Sequence, residues 1–65
     1  MDANKIGAKI RELRGNKSQE SFANDLNISR SALAMYEQGN RIPRDEIKIR
    51  IAAYCGKSVQ EIFFD

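Results

Sequence analysis

The stretch from residue 19 to residue 39 carries side chains at a spacing that suits recognition of another molecule. The outward members recur at helical spacing on one face of a helix predicted to begin after Ser29: Arg30, Ser31, Ala34, Met35 and Gln38. Leu33 and Tyr36 lie on the opposite face and should point inward. The outward face would then hold one cation and otherwise uncharged side chains, a surface that fits a major groove about 12 Å wide.

Arginine has the clearest chemistry on that face. Its guanidinium group can donate two parallel hydrogen bonds to O6 and N7 of guanine, which discriminates between bases by about 1–3 kcal/mol. Ser31 is small and can donate or accept, and Met35 could touch a thymine methyl group or a sugar. The alternatives are a solvated surface charge for Arg30 and, for Met35, a core position.

Composition excludes most other chemistry. The chain has no histidine and one cysteine, Cys55, so Ser-His-Asp triads and Cys-His pairs are absent. A zinc site would need an unusual ligand set, and a lone cysteine forms no internal disulfide. We therefore expect no catalytic residue, no metal and no cofactor, and we expect that the protein is not an enzyme. Cys55 should be a small buried hydrophobe.

The overall charge is a weak guide to the partner. The 65 residues form at most one domain, residues 1–65, with a net charge of +2 from 11 basic and 9 acidic side chains. An interaction with nucleic acid must therefore be argued from where the charges lie. Since no apolar run approaches the ~20 residues that span a bilayer, and no signal peptide is apparent, we expect a cytoplasmic protein without membrane contact.

The elements that must position these side chains are predicted to be five short helices, an all-α fold without strands. Serines suited to N-caps precede three of them, at Ser18, Ser29 and Ser58, and Pro43 suits the first position of the fourth. Glycines or asparagine fall where helices should end, at Gly15, Asn27, Gly39 and Gly56. The second and third helices are joined by a turn of about three residues, which favours a helix-turn-helix arrangement.

The core positions follow from the same periodicity. Small Ala23 allows the second and third helices to approach closely, and a wedge between them is predicted from Leu26, Ile28, Leu33 and Tyr36. In the fourth helix the predicted inward stripe is made of Ile47, Ile51 and Tyr54, broadened by Ile49, Ala52 and Ala53.

Over nearly its whole length the chain resembles the phage-repressor/Cro type of helix-turn-helix domain, also called the XRE family. The matching segments are Ile6-Gly7, Ile10 to Arg14, Ser18 to Glu20 with Ala23, Leu26 to Ser31, Tyr36 to Gly39, Arg41 to Pro43, Ile51-Ala52 and Ser58 to Phe63. The resemblance implies a compact five-helix, lambda-repressor-like fold. It also implies a sequence-specific regulator of transcription, a repressor, that inserts its third helix into duplex DNA.

The resemblance implies roles for individual residues. Base edges would be read by Arg30, Ser31, Ala34 and Met35. Backbone phosphates would be contacted by Lys17, Gln19, Ser29, Gln38, Asn40, Arg41 and Arg44. An ion pair between the first and third helices would join Arg14 and Glu37.

The chain departs from the family at Asp45 and Lys48, two positions where the family often has leucine. The connection of residues 15–17 is also shorter than usual. These departures leave open which face of the fourth helix packs inward, with a shift onto Ile47, Ile49 and Ile51 as one possibility.

The C-terminal end suggests a partner. Two adjacent aromatics point to different faces, so one of them should be exposed, and an exposed aromatic indicates a protein contact. We expect a homodimer on a palindromic operator through Val59, Ile62, Phe63 and Phe64. The alternative is a protein-interaction module, such as an antitoxin-like partner built on the same scaffold.

Overall fold

The computed structural model describes residues 2–64, and within that range it contains five α-helices and no strand. The helices are α1 (Ala3–Arg14), α2 (Gln19–Leu26), α3 (Arg30–Glu37), α4 (Asp45–Cys55) and α5 (Val59–Phe63). The predicted all-α, five-helix fold is confirmed.

Helix starts and stops are set by local side chains, mostly as predicted. The hydroxyls of Ser18, Ser29 and Ser58 each accept a hydrogen bond from an amide in the first turn that follows them. Ser58 and Glu61 form a reciprocal capping box. α1 has a cap that was not predicted from the sequence. It is Asp2, whose carboxylate accepts from first-turn amides of α1.

The prediction that Pro43 opens α4 is wrong. α4 begins at Asp45, and Arg44, in extended conformation, occupies the N-cap position without a side-chain cap. Pro43 lies one residue earlier and is fully buried. Its ring fills part of the core, so it fixes the entry of the chain into α4 from outside the helix.

A single core is shared by the helices. Its fully or nearly fully buried apolar members are Ile6, Ile10, Phe22, Ala23, Leu26, Leu33, Tyr36, Ile47, Ile51, Ala52, Ile62 and Phe63. Leu26 and Leu33 have no exposed surface, and Ile28 is partly buried against them. The predicted wedge between α2 and α3 is therefore present.

α4 packs differently from the prediction. Ile47, Ile51 and Ala52 face the core, whereas Ile49 is 60% exposed and Tyr54 is 45% exposed. Ala53 is exposed as well. At about 100° per residue, positions 47, 48, 51 and 52 fall within one sector of about 140°. Position 49 lies about 130° from the centre of that sector, so Ile49 is outside the buried face.

Lys48 takes the inward position that an apolar residue would fill. It is only 6% exposed. Its ammonium nitrogen lies 3.7 Å from a carboxylate oxygen of Asp45, and 6.0 and 5.2 Å from the ring centres of Phe63 and Phe64. The aliphatic stem thus covers apolar surface while the charge is stabilised by a carboxylate and two aromatic faces.

The backbone of α1 passes directly against the C-terminal end of α3 at Gly7. A Cβ atom at this position would lie 2.5 Å from the carbonyl oxygen of Tyr36 and 2.7 Å from that of Glu37. Both are backbone atoms of α3, which cannot move aside as the end of a flexible side chain could. The close crossing of α1 and α3 therefore requires glycine.

Replacing Gly7 with alanine tests this crossing. Helix propensity alone predicts that Gly7→Ala stabilises the protein by about 1 kcal/mol. We expect the opposite, a loss of about 1–3 kcal/mol, because the added methyl overlaps two carbonyl oxygens. The measurement is the free energy of unfolding in urea.

Ala8→Gly is the matched control, since Ala8 is exposed on the same helix. It should cost about 1 kcal/mol through propensity alone. A stabilised Gly7→Ala protein would show that α1 and α3 are not in this close contact.

Candidate nucleic-acid interface

One face of α3 is presented to solvent. Arg30 and Ser31 in the first turn are exposed, Met35 is 41% exposed, and Ala34 between them is half-buried. Gln38, at the C-cap, is exposed on the same side. The structure therefore brings the side chains expected to read bases onto one surface, with Leu33 and Tyr36 buried behind it.

α3 is anchored through a buried carboxylate. The side chain of Glu37 is 2% exposed. Arg14 of α1 donates to it twice, from Nε to Oε2 at 2.8 Å and from Nη2 to Oε1 at 3.1 Å. Two parallel hydrogen bonds fix orientation as well as distance, and they raise the pKa of Arg14.

The same carboxylate holds the start of α2. The side-chain amide nitrogen of Gln19, Nε2, donates to Oε1 of Glu37 at 3.1 Å. Arg11 donates to the backbone carbonyl of Glu37 at 3.1 Å and so caps the end of α3. Gln19, expected at a phosphate, therefore has one amide hydrogen committed to Glu37, which leaves a second N–H of the same group.

The turn between α2 and α3 consists of residues 27–29. Asn27 has φ 58° and ψ 43°, the left-handed conformation expected of it. Ser29 then caps α3, with its hydroxyl oxygen accepting from the amide of Ala32 at 3.0 Å. The first amides of α2 and α3 have no acceptor within their own helices, which makes both N-termini suited to anions.

Cations lie at the start of α3 and beyond its end. Arg30 lies at its start, and Arg41 and Arg44 lie in the segment that follows its end; all three are exposed. Within residues 2–64 none of them is in an ion pair. Asn40 and Gln38, in contrast, are joined to each other by a hydrogen bond of 3.0 Å.

Lys17 is engaged elsewhere. Its ammonium group donates to the carboxylate of Asp25 and, at 2.7 Å, to the hydroxyl of Tyr54. These two hydrogen bonds raise the pKa of Lys17 to about 12. This cluster was not predicted from the sequence, because its members lie far apart along the chain and Tyr54 was expected in the core.

The C-terminal residues expected at a dimer contact are divided. Ile62 and Phe63 are buried in the chain's own core, Val59 is half-buried, and Phe64 is 53% exposed. Only Phe64 and part of Val59 therefore remain available to a second molecule.

Other kinds of site are not apparent. Among residues 2–64 there is no cluster of three or more side chains suited to a metal ion. Cys55 is half-buried, less than expected, and burial raises the pKa of its thiol, which disfavours the reactive thiolate. A cavity of about 320 Å³ between α1 and α5 is lined by no residue of α3.

The comparisons with known proteins concern the family and the fold. A helix-turn-helix family model matches residues 8–62. The fold is similar to that in the crystal structure of the clp gene regulator ClgR from C. glutamicum. The TM-score is 0.80 at 21% sequence identity, over 98% of this chain and 86% of the other.

A search of curated proteins gives no match. In the part of the chain that the structure describes, no helix has the length and apolarity needed to span a membrane. The family model covers most of the chain, and the five-helix fold fits it. The chain therefore belongs to the XRE-type helix-turn-helix family, whose members are DNA-binding regulators and not enzymes.

Proposed function

We propose that this protein binds duplex DNA at a specific sequence by inserting α3 into the major groove, and that it represses transcription from that site in the cytoplasm. One observation carries the proposal. α3 buries Leu33, Tyr36 and Glu37 while its opposite face, beginning at Arg30, remains exposed. A helix fixed from behind and open in front is what major-groove recognition requires.

Base selection is assigned to the first two turns of α3. Arg30 would donate two hydrogen bonds to a guanine, and Ser31 would bond to a neighbouring base. Ala34 and Met35 would supply apolar contacts, for which a thymine methyl group is the natural partner. The half-buried Ala34 allows the helix to approach the base edges closely.

Phosphate contacts are assigned around this face. Arg41 and Arg44 would bind phosphates beyond the end of α3, and Ser29 beside its start. Gln19 would bind one through its second amide hydrogen together with the α2 N-terminus. Gln38 and Asn40 would have to exchange their mutual hydrogen bond for DNA. Lys17, which the resemblance places at a phosphate, is held by Asp25 and Tyr54, so we assign it no phosphate contact.

We further propose that the protein binds a palindromic operator as a dimer. Two α3 helices related by a two-fold axis would enter the groove about 34 Å apart, one turn of DNA. The exposed ring of Phe64, next to Val59, is the surface that we assign to the second subunit. This surface is small, so we expect the dimer to assemble on DNA.

The alternative is a protein-interaction module, which the 53% exposed Phe64 and the 60% exposed Ile49 favour. Titration with random-sequence duplex at rising salt separates the two functions. The proposed regulator should bind such DNA with an affinity that falls steeply with salt. Cations on the protein that neutralise phosphates release the counterions condensed on the DNA, and added salt opposes that release. No binding at low salt would favour the interaction module.

Arg30→Ala should remove discrimination at one base position while the fold survives, since Arg30 is exposed and makes no ion pair within the described residues. The loss against the preferred site should be about 1–3 kcal/mol. Gln19→Ala should instead weaken binding to all sequences equally. The measurement is selection of bound sites from a random duplex pool.

Lys57→Ala is the control for Arg30→Ala, because it removes one positive charge from an exposed residue beyond α4. It should leave the selected motif unchanged. An Arg30→Ala protein that selects the parent's motif would contradict base reading by Arg30.

Phe64→Ser should lower the cooperativity with which two half-sites are filled, because it removes the main exposed apolar group at the assigned contact. Affinity for an isolated half-site should not change. Binding isotherms on duplexes with one and two half-sites measure both quantities. Ile49→Ser is the matched control, and an equal effect of the two substitutions would contradict the assigned surface.

A further inference from the structure

α4 carries a row of polar side chains that the function proposed above does not use. Glu46, Arg50 and Tyr54 are spaced at i, i+4 and i+8, so they share one side of the helix. We call this row the α4 stripe. Arg50 and Tyr54 contact α2 and the connections before and after it, and Glu46 contacts Arg50.

Arg50 holds the end of α2. Its Nη1 atom donates to the backbone carbonyls of Leu26 at 3.2 Å and Asn27 at 3.3 Å. Its Nη2 atom donates to Glu46 at 3.0 Å, which orients the guanidinium group. Carbonyls at a helix C-terminus lack partners within the helix, and a cation there is also favoured by the helix dipole.

Tyr54 links the last turn of α2 to the connection that precedes the helix. Its hydroxyl donates to the carboxylate of Asp25 at 2.7 Å and accepts from Lys17 at 2.7 Å. Its ring meets that of Phe22 edge to face, with centres 5.7 Å apart. Lys17 lies two residues before Gln19, so the hydroxyl ties the connection that leads into α2 to the body of α2.

The turn after α2 needs such support. Asn27 adopts a left-handed conformation, which an asparagine tolerates but which costs free energy relative to ordinary backbone. A residue held in this way persists when surrounding bonds over-determine it. The bonds from Arg50 to the carbonyls of residues 26 and 27 do so at the point where the chain changes direction into α3.

We propose that Arg50 and Tyr54 are positioning residues for DNA binding. By holding the C-terminal end of α2 and the connection before its start, they set the distance and angle between Gln19 and the exposed face of α3. Phosphate and base contacts are then made together. This inference rests on the proposed function, because it concerns how the same surface is presented to DNA.

Two charge-conserving substitutions test the inference without altering the electrostatic attraction to DNA. Tyr54→Phe keeps the ring against Phe22 and removes only the hydroxyl. Arg50→Lys keeps the cation but loses the planar fork in which Nη1 donates to the two carbonyls while Nη2 donates to Glu46. Binding is measured well below the unfolding temperature, on the parent's preferred duplex and on a scrambled duplex.

Each variant should bind the preferred duplex about three- to tenfold more weakly, the range for one or two lost hydrogen bonds. Binding to the scrambled duplex should change less, and the slope of log affinity against log salt should stay as in the parent, since no phosphate-binding charge is lost. In free Arg50→Lys, the amide hydrogens of Asn27 and Ile28 should exchange faster.

Ala8→Gly is the control for a general loss of stability, because Ala8 is exposed on α1 and the substitution costs about 1 kcal/mol through helix propensity alone. It should leave the preference for the selected duplex unchanged. If the control lowers that preference as much as the α4 variants do, Arg50 and Tyr54 act on stability alone and the inference is wrong.

The inference is also wrong if exchange at Asn27 and Ile28 increases while the preference for the selected duplex stays at the parent value. In that case the parent still binds DNA and the proposed function stands. A parent protein that binds no duplex at any salt would overturn the proposed function, and with it the positioning role.

Discussion

The buried carboxylate of Glu37 is the constraint on which the arrangement of the first three helices depends. A carboxylate with 2% of its side chain exposed is destabilising by several kcal/mol unless it is paired and hydrogen-bonded. Arg14 supplies the charge and Gln19 a further donor. Since these partners come from α1 and α2, the carboxylate is satisfied only when both helices meet the end of α3 in one geometry.

The close approach of α1 to α3 belongs to the same contact. Gly7 brings the α1 backbone against the carbonyls of Tyr36 and Glu37, and one turn later Arg11 donates to the carbonyl of Glu37. A bulkier residue at position 7 would push α3 away and lengthen the Arg14–Glu37 hydrogen bonds. Packing and electrostatics therefore select the same position for α3, and this leaves its Arg30 face outward.

Local signals predicted much of this fold because capping and periodicity act over a few residues. The serine caps and the left-handed Asn27 follow from neighbouring positions, and so does the division of α3 into inner and outer faces. α4 was not predictable in this way. The alternation of Ile47, Ile49 and Ile51 suits no helical face, and only the observed packing shows that the stem of Lys48 covers core surface in preference to Ile49.

The candidate site, like the fold, could be predicted only in part. Which residues of α3 face outward could be predicted, but the availability of each phosphate-binding candidate could not. Lys17 meets Tyr54 across 37 residues, and the hydrogen bond from Gln19 to Glu37 spans 18. Such contacts depend on how helices are placed relative to one another, and no spacing within a single helix encodes them.

The distribution of ion pairs explains how a protein of net charge +2 can present a cationic surface to DNA. Four carboxylates are paired within the described residues: Glu37 with Arg14, Asp25 with Lys17, Asp45 with Lys48 and Glu46 with Arg50. The arginines at the two ends of α3 have no such partner there. Pairing in the body of the domain therefore leaves uncompensated positive charge at both ends of the exposed helix, where the phosphates of the two strands bordering a groove would lie.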